Sequence, residues 1–216
     1  MNRRIFAVGD IHGRMDRLGA LLGRLRTLDP EARWVFLGDY FDRGPQSREV
    51  VDALLALRAE RPDTVCLLGN HEAALLRYAA SCSPEDLRLL RAMGFQATLD
   101  SYGRAPGACG LDFMSAAHRA FLEGLEPWRV LGNYVFCHAP IAPDAAPDRA
   151  EGFELERLLS GRLVDAAGWA ADGRTLVFGH VPLATPLVAP GLIGLDTGEG
   201  DMLTAVELPA VRFHHA

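Results

Sequence analysis

Ile5-Phe6-Ala7-Val8-Gly9-Asp10-Ile11-His12-Gly13 opens the chain with a short apolar run that ends on a glycine and then delivers an acid and an imidazole. The same order returns twice. Trp34-Val35-Phe36-Leu37 leads into Gly38-Asp39-Tyr40-Phe41-Asp42-Arg43-Gly44, and the run from Thr64 to Leu68 leads into Gly69-Asn70-His71-Glu72. Asp10 and Asp39 lie 29 positions apart, and Asp39 and Asn70 lie 31 apart. A strand-helix-strand crossover takes roughly 30 residues. Three parallel strands would therefore bring these loops to one sheet edge, where open α/β folds place their sites. Asp, His and Asn gathered at such an edge read as a metal centre, and the pattern points to metal-assisted hydrolysis.

The segments between the islands fit that plan. Met15, Leu18, Leu21, Leu22, Leu25 and Leu28 recur at helical spacing and predict one helix. Ser47 is the expected N-cap of a second helix carrying Val50, Val51, Leu54, Leu55 and Leu57, which Pro62 closes. A third helix continues from Glu72 to Ala80, and Ser83-Pro84-Glu85-Asp86 has the composition of a cap and first turn. Residues 94–114 show no clear period and predict an irregular insertion near the site. Another helix is expected over Ser115 to Glu123, and Val135-Phe136-Cys137 and Leu176-Val177-Phe178 read as buried strands. From Leu183 onward the pattern is strand-rich, with Pro190-Gly191 as a turn signal. His118 is expected as a surface or packing residue, Trp128 and Trp169 in the core or at the site rim, and His214-His215 at a frayed, solvated end.

Composition narrows the possibilities. The 216 residues suit one domain spanning 1–216, and 49% hydrophobic residues fit a packed core. A net charge of -6 argues against nucleic-acid and membrane-surface partners, so an anionic substrate would have to be drawn by bound cations and a few placed arginines. All 22 basic residues are arginine, which removes P-loop and Schiff-base lysines. Cys66, Cys82, Cys109 and Cys137 show no C-x-x-C spacing, predicting reduced thiols without a disulfide framework. Arg3-Arg4 precedes only four apolar residues, too few for the roughly 7–15 of an export signal, and the expected location is cytoplasmic.

The islands resemble the phosphoprotein-phosphatase branch of the calcineurin-like metallophosphoesterases, of the bacterial serine/threonine protein phosphatase type. That family's G-D-x-H-G, G-D-x-x-D-R-G and G-N-H-E motifs stand here intact and in order. Its later segments resemble Cys137-His138-Ala139-Pro140, Gly179-His180-Val181-Pro182 and Asp196-Thr197-Gly198. The resemblance spans residues 5 to about 208 and implies an α/β fold of two mixed β-sheets packed face to face with helices outside.

It also implies a site. Asp10 and His12 would bind a first metal ion, Asn70, His138 and His180 a second, and Asp39 would bridge both. Such mixed ligands fit Mn, with Fe, Zn or Co as the other candidates, and the bridging hydroxide would attack phosphorus in line with the leaving oxygen. His71 is the implied general acid and Asp42 its orienting carboxylate. Arg43 would hold phosphate in its planar fork. A second phosphate-binding arginine falls on Arg162 in Leu158-Leu159-Ser160-Gly161-Arg162, where Ser160 replaces the family's usual tryptophan; Arg157 is the alternative.

The expected activity is dephosphorylation of phosphoserine or phosphothreonine in proteins. The alternative is hydrolysis of small phosphate esters or symmetrical dinucleoside tetraphosphates. A non-catalytic scaffold of the same fold is the third reading, weakened because all six ligands, His71, Asp42 and Arg43 are retained.

Overall fold

The computed structural model describes residues 3–103, 110–146, 148, 154–162, 164–198 and 202–216. Three of the short apolar runs become the parallel strands β1 (Ile5–Val8), β2 (Arg33–Phe36) and β3 (Val65–Cys66). The helices α1 (Met15–Leu28) and α2 (Ser47–Glu60) cross over between them. Next come α3 (Asn70–Ser81), α4 (Pro84–Met93), α5 (Phe95–Ser101) and α6 (Ala116–Glu123). A hairpin of β4 (Trp128–Leu131) and β5 (Tyr134–Cys137) leads through a 3₁₀ turn at Pro143–Ala145 to α7 (Leu155–Ser160), α8 (Ala166–Asp172) and β6 (Thr175–Phe178). The chain closes with β7 (Leu187–Ala189), β8 (Leu192–Gly194), β9 (Thr204–Leu208) and β10 (Arg212–His215).

Two five-stranded sheets result, in the orders β10-β9-β1-β2-β3 and β4-β5-β6-β8-β7. Both are mixed: β1, β2 and β3 run parallel with β9 antiparallel to β1, while β5, β6 and β8 run parallel between antiparallel β4 and β7. Side-chain alternation explains the layers. Ile5, Ala7, Val35 and Leu37 face Phe136, Val177, Ile193 and Leu195 of the second sheet. Phe6, Val8, Trp34 and Phe36 point the other way, into Leu18, Leu21, Leu25, Val50 and Leu54 of α1 and α2. On the far side Val135, Cys137, Leu176 and Phe178 pack against Leu158 and Trp169. With both faces covered, the strands had to be continuously apolar. This is the sandwich the resemblance implied.

Several expectations change, while those for His118 as a packing residue and Trp169 as core hold. Ser47 is the first residue of α2 and not its cap, because its hydroxyl is bonded to Thr98 Oγ1, 3.3 Å away. The segment expected to be irregular holds α5, fixed by burial of Phe95, Thr98 and Leu99; residues 104–109 of it lie outside the described residues. His214 and His215 are not frayed: they pair with β9, His214 beside Glu207 at 3.2 Å and His215 Nδ1 on Thr204 Oγ1 at 2.8 Å. His118 is buried between Tyr102 Oη (2.7 Å) and Asp52 Oδ1 (2.9 Å) and so ties α6 to α2 and the end of α5. Trp169 is core, its Nε1 donating to the Ile141 carbonyl at 2.7 Å. Cys66 and Cys137 are buried free thiols, but Cys82 is disulfide-bonded, against the expectation of reduced thiols throughout.

Candidate metal centre

Every predicted ligand follows the C-terminal end of a parallel strand: Asp10 and His12 after β1, Asp39 after β2, Asn70 after β3, His138 after β5 and His180 after β6. The loops lock to one another through the backbone. Ile11 and His12 donate to the Asp39 carbonyl at 3.0 and 2.8 Å, and Gly179 donates to the His138 carbonyl at 2.8 Å. Gly38 sits at φ +111°, with room for no side chain because the Gly69 backbone and the His138 ring press on its Cα. Seven non-glycine described residues have positive φ, and five of them are His12, Asp39, Asp42, Arg43 and His180. Strain of this kind persists only where the surroundings over-determine it.

The imidazoles share one orientation. His12 Nδ1 faces the Phe41 carbonyl (3.1 Å), His71 Nδ1 faces Asp42 Oδ2 (2.7 Å) and His138 Nδ1 faces the Leu37 carbonyl (2.9 Å). Each of these partners is an acceptor, so each Nδ1 carries a hydrogen; a ring that is neutral then has its lone pair on Nε2, and a protonated one a second hydrogen there. All three Nε2 atoms turn toward Asp39, at 3.7, 3.8 and 3.5 Å. Asn70 Oδ1 lies 2.9 Å from His138 Nε2 and 2.9 Å from His180 Nδ1. The first of these is an acceptor facing an acceptor. His180 Nε2 is buried with no hydrogen-bond partner among the described residues.

Charge crowding tells the same story. Burial pushes the Asp10 carboxyl well up, and the neighbouring charges of Asp196 and Asp39 push it further. Burial would also raise Asp39, but the rings of His138, His71 and His12 hold it far below the usual carboxylate range. Burial brings His12 and His180 down to about 4, which leaves them neutral with lone pairs to offer. Burial lowers His71 too, yet the charges of Asp39 and Asp42 outweigh it and leave this ring raised. Carboxylates and imidazole lone pairs converging without hydrogens between them are stable only around cations. Two groups of ligand atoms, Asp10-Asp39-His138 and His12-Asp39-His71, each lie within 4.8 Å, and Asp39 belongs to both. The shared carboxylate fits a two-ion centre, although these groups pair Asp10 with His138 and His12 with His71, where the resemblance pairs Asp10 with His12 and gives His71 no metal.

Arg43 and Arg162 are both exposed beside this cluster. The charge of Arg43 bears on His12 and Asp196, and that of Arg162 on His180. Among the described residues neither is in an ion pair, whereas the alternative, Arg157, is held by Glu154 at 2.8 Å. An open groove of about 480 Å³ starts at Asn70 and runs between Ala73, Ala74, Met93, Leu155 and Leu159.

Glu72, which closes the third island, is no ligand but the expected cap and orienter of the loop, and Thr98 escaped the motif reading. Glu72 is fully buried, and its carboxylate accepts from the backbone N–H groups of Asp39 (2.9 Å), Gly69 (3.0 Å), Tyr40 (2.8 Å) and Phe41 (3.4 Å). It therefore clamps the second island to the third; its position three residues after Gly69, at the start of α3, was the available signal. Thr98 contacts Asp42 from α5, and no local pattern marks it.

Two packed mixed sheets carrying such a centre at their strand ends define a metal-dependent phosphatase. The sequence model of the calcineurin-like phosphoesterases matches residues 3–204, and the chain belongs to that family. Among solved structures the chain is similar in fold to a candidate diadenosine tetraphosphatase, at 23% identity and TM-score 0.71, covering 100% of this chain and 94% of that one. It is also similar to the cold-active protein-tyrosine phosphatase of a psychrophilic Shewanella species (20% identity, TM-score 0.64, 100% and 78% covered). A protein serine/threonine phosphatase from Saccharomyces cerevisiae matches at 14% identity and TM-score 0.63, with 99% and 79% covered.

Proposed function

We propose that the chain is a phosphomonoesterase that removes phosphate from serine and threonine side chains of proteins. The observation that carries the reading is the ring of lone pairs around Asp39, flanked by the His71–Asp42 pair and two exposed arginines. Asp10 and His12 would hold one divalent ion, Asn70, His138 and His180 a second, and Asp39 both; Mn is the proposed metal. When bound, the ions supply Lewis-acid polarisation of the phosphate and an activated water.

The remaining roles belong to side chains. Arg43 grips the phosphoryl oxygens with its planar fork, and Arg162 supplies a second guanidinium to them. His71 would act as its imidazolium, favoured by its raised pKa: one hydrogen stays at Nδ1 on Asp42 and the second, at Nε2, passes to the leaving alkoxide, leaving the neutral ring. The exposed arginines and the open groove beside Asn70 suit a phosphorylated side chain on a protein surface. Symmetrical dinucleoside tetraphosphates are the second reading, favoured by the likeness to the candidate diadenosine tetraphosphatase. Comparing kcat/KM for a phosphopeptide panel with that for dinucleoside polyphosphates tests the assignment. Phosphoserine and phosphothreonine peptides should be preferred, and higher kcat/KM on the dinucleotides would reverse it.

A further inference from the structure

Asp42 and Arg43 are consecutive left-handed residues, at φ +68° and +62°. Neither is a glycine, and such a pair does not hold itself in place. Its support comes from α5. The Arg43 N–H points to the Gly94 carbonyl at 3.4 Å, and Gly94, itself at φ +103°, has no space for a Cβ beside the Arg43 backbone. One turn on, Thr98 is fully buried and meets Asp42 twice. Its Oγ1 accepts from the Asp42 backbone N–H at 2.9 Å and donates to Asp42 Oδ1 at 2.7 Å. The hydroxyl has one hydrogen and Oδ1 is an acceptor, so the direction is fixed. Ser47 Oγ, 3.3 Å away, takes the remaining place on Thr98 Oγ1 as a donor. A single line of hydrogen bonds runs Ser47 to Thr98 to Asp42 Oδ1, and from Asp42 Oδ2 to His71 Nδ1.

We propose that Thr98 is a positioning residue for the acid: it fixes both the backbone and the carboxylate of Asp42, and through Asp42 it sets the direction in which His71 presents Nε2. The assignment rests on reading His71 as the acid. Thr98 is fully buried and its hydroxyl bonds only to Asp42 and Ser47 among the described residues, so it acts on proton delivery and not on substrate capture. A buried threonine that only filled space could be replaced by valine, which keeps its shape. A threonine that aims Asp42 could be replaced by serine, which keeps the hydroxyl.

The test is a double-mutant cycle on the metal-loaded enzyme with a phosphoserine peptide and with p-nitrophenyl phosphate. Thr98→Val should lower kcat on the peptide by roughly 10- to 100-fold, the cost of a misplaced catalytic group. KM should be little changed, and the loss on the aryl phosphate, whose phenolate needs little protonation, should be smaller. Thr98→Ser should restore kcat. In a His71→Asn background, Thr98→Val should add no further loss, because the group it aims is gone. Circular dichroism and metal content report folding, and Thr98→Ala, which buries no extra methyl, replaces the valine variant if that one does not fold. Losses that add independently of His71, or valine and serine variants of equal activity, overturn the proposal. The reading of His71 is tested separately by His71→Asn alone: equal losses on both substrates sink the acid role, whatever Thr98 does.

Discussion

Asp39 is surrounded by three imidazole Nε2 atoms and lies in both groups of converging ligand atoms. Its carboxylate is thus the one group whose charge both ions would share. Asp39→Asn removes the only charge from the set Asn70, His138, His180 and Asp39, leaves the other set with Asp10 alone, and puts in place of one carboxylate oxygen an NH₂ that cannot coordinate a cation. Activity should fall by at least about 100-fold with loss of bound metal, since even outer partners of a metal site cost 10–100-fold when removed. Asp144→Asn, an exposed aspartate in the 3₁₀ turn, is the control and should behave as wild type. Two metals per chain and near-normal turnover in Asp39→Asn would show the bridge is misassigned.

At the scale of elements, the clamp between islands matters more than any one strand. Glu72 Oε1 and Oε2 each face two backbone N–H groups, and all four belong to loops that carry ligands. Burial and the Asp39 charge push this carboxyl up to about 8, and the N–H donors pull it down. Glu72→Gln would set an NH₂ against two of those donors. Leaving buried polar groups so mismatched costs about 1–3 kcal/mol. Denaturant unfolding should show that loss, and metal titration should show weaker binding; an unchanged midpoint and affinity would mean the loops hold themselves.

What the sequence revealed about the elements follows from how local their causes are. β1, β2, β5 and β6 were legible because strands covered on both faces must be continuously apolar. The helices α1, α2 and α4 were legible because stripe and cap are local. By contrast α5 contains Thr98 in mid-helix and begins on a left-handed glycine; tertiary contacts to Asp42 and Arg43 hold it, and periodicity cannot report those. β10 carries Arg212, His214 and His215, and only its pairing with β9 makes it a strand. The ligand motifs, with Glu72 at the end of the third, were legible because chemistry restricts residue type, whereas Thr98 acts through geometry that appears only in the folded chain.

For the molecule as a whole, the packed sheets should stand without metal, since the layer between them is apolar and continuous. The strand-end loops should not, because like charges and facing lone pairs are left uncompensated. Chelation should therefore abolish phosphatase activity and lower the melting temperature, and Mn²⁺ should restore both. An ion at 100 times its Kd adds about 2.7 kcal/mol to the folded state. Full activity after verified metal removal would sink the mechanism.

The ligand set draws on both sheets: Asp10, Asp39 and Asn70 follow strands of the first, His138 and His180 strands of the second. His180 meets Asn70 across 110 positions of chain, and His138 Nδ1 meets the Leu37 carbonyl across 101. During synthesis the first three islands emerge early, but they are only half a cage. Loop closures this long come late in folding, after local helices and neighbouring strands have formed. Catalytic competence should thus be the last property this polypeptide acquires. A nascent or half-folded chain should be unable to strip phosphate from its surroundings, because the residues proposed to hold the ions meet only once the two halves have closed on each other.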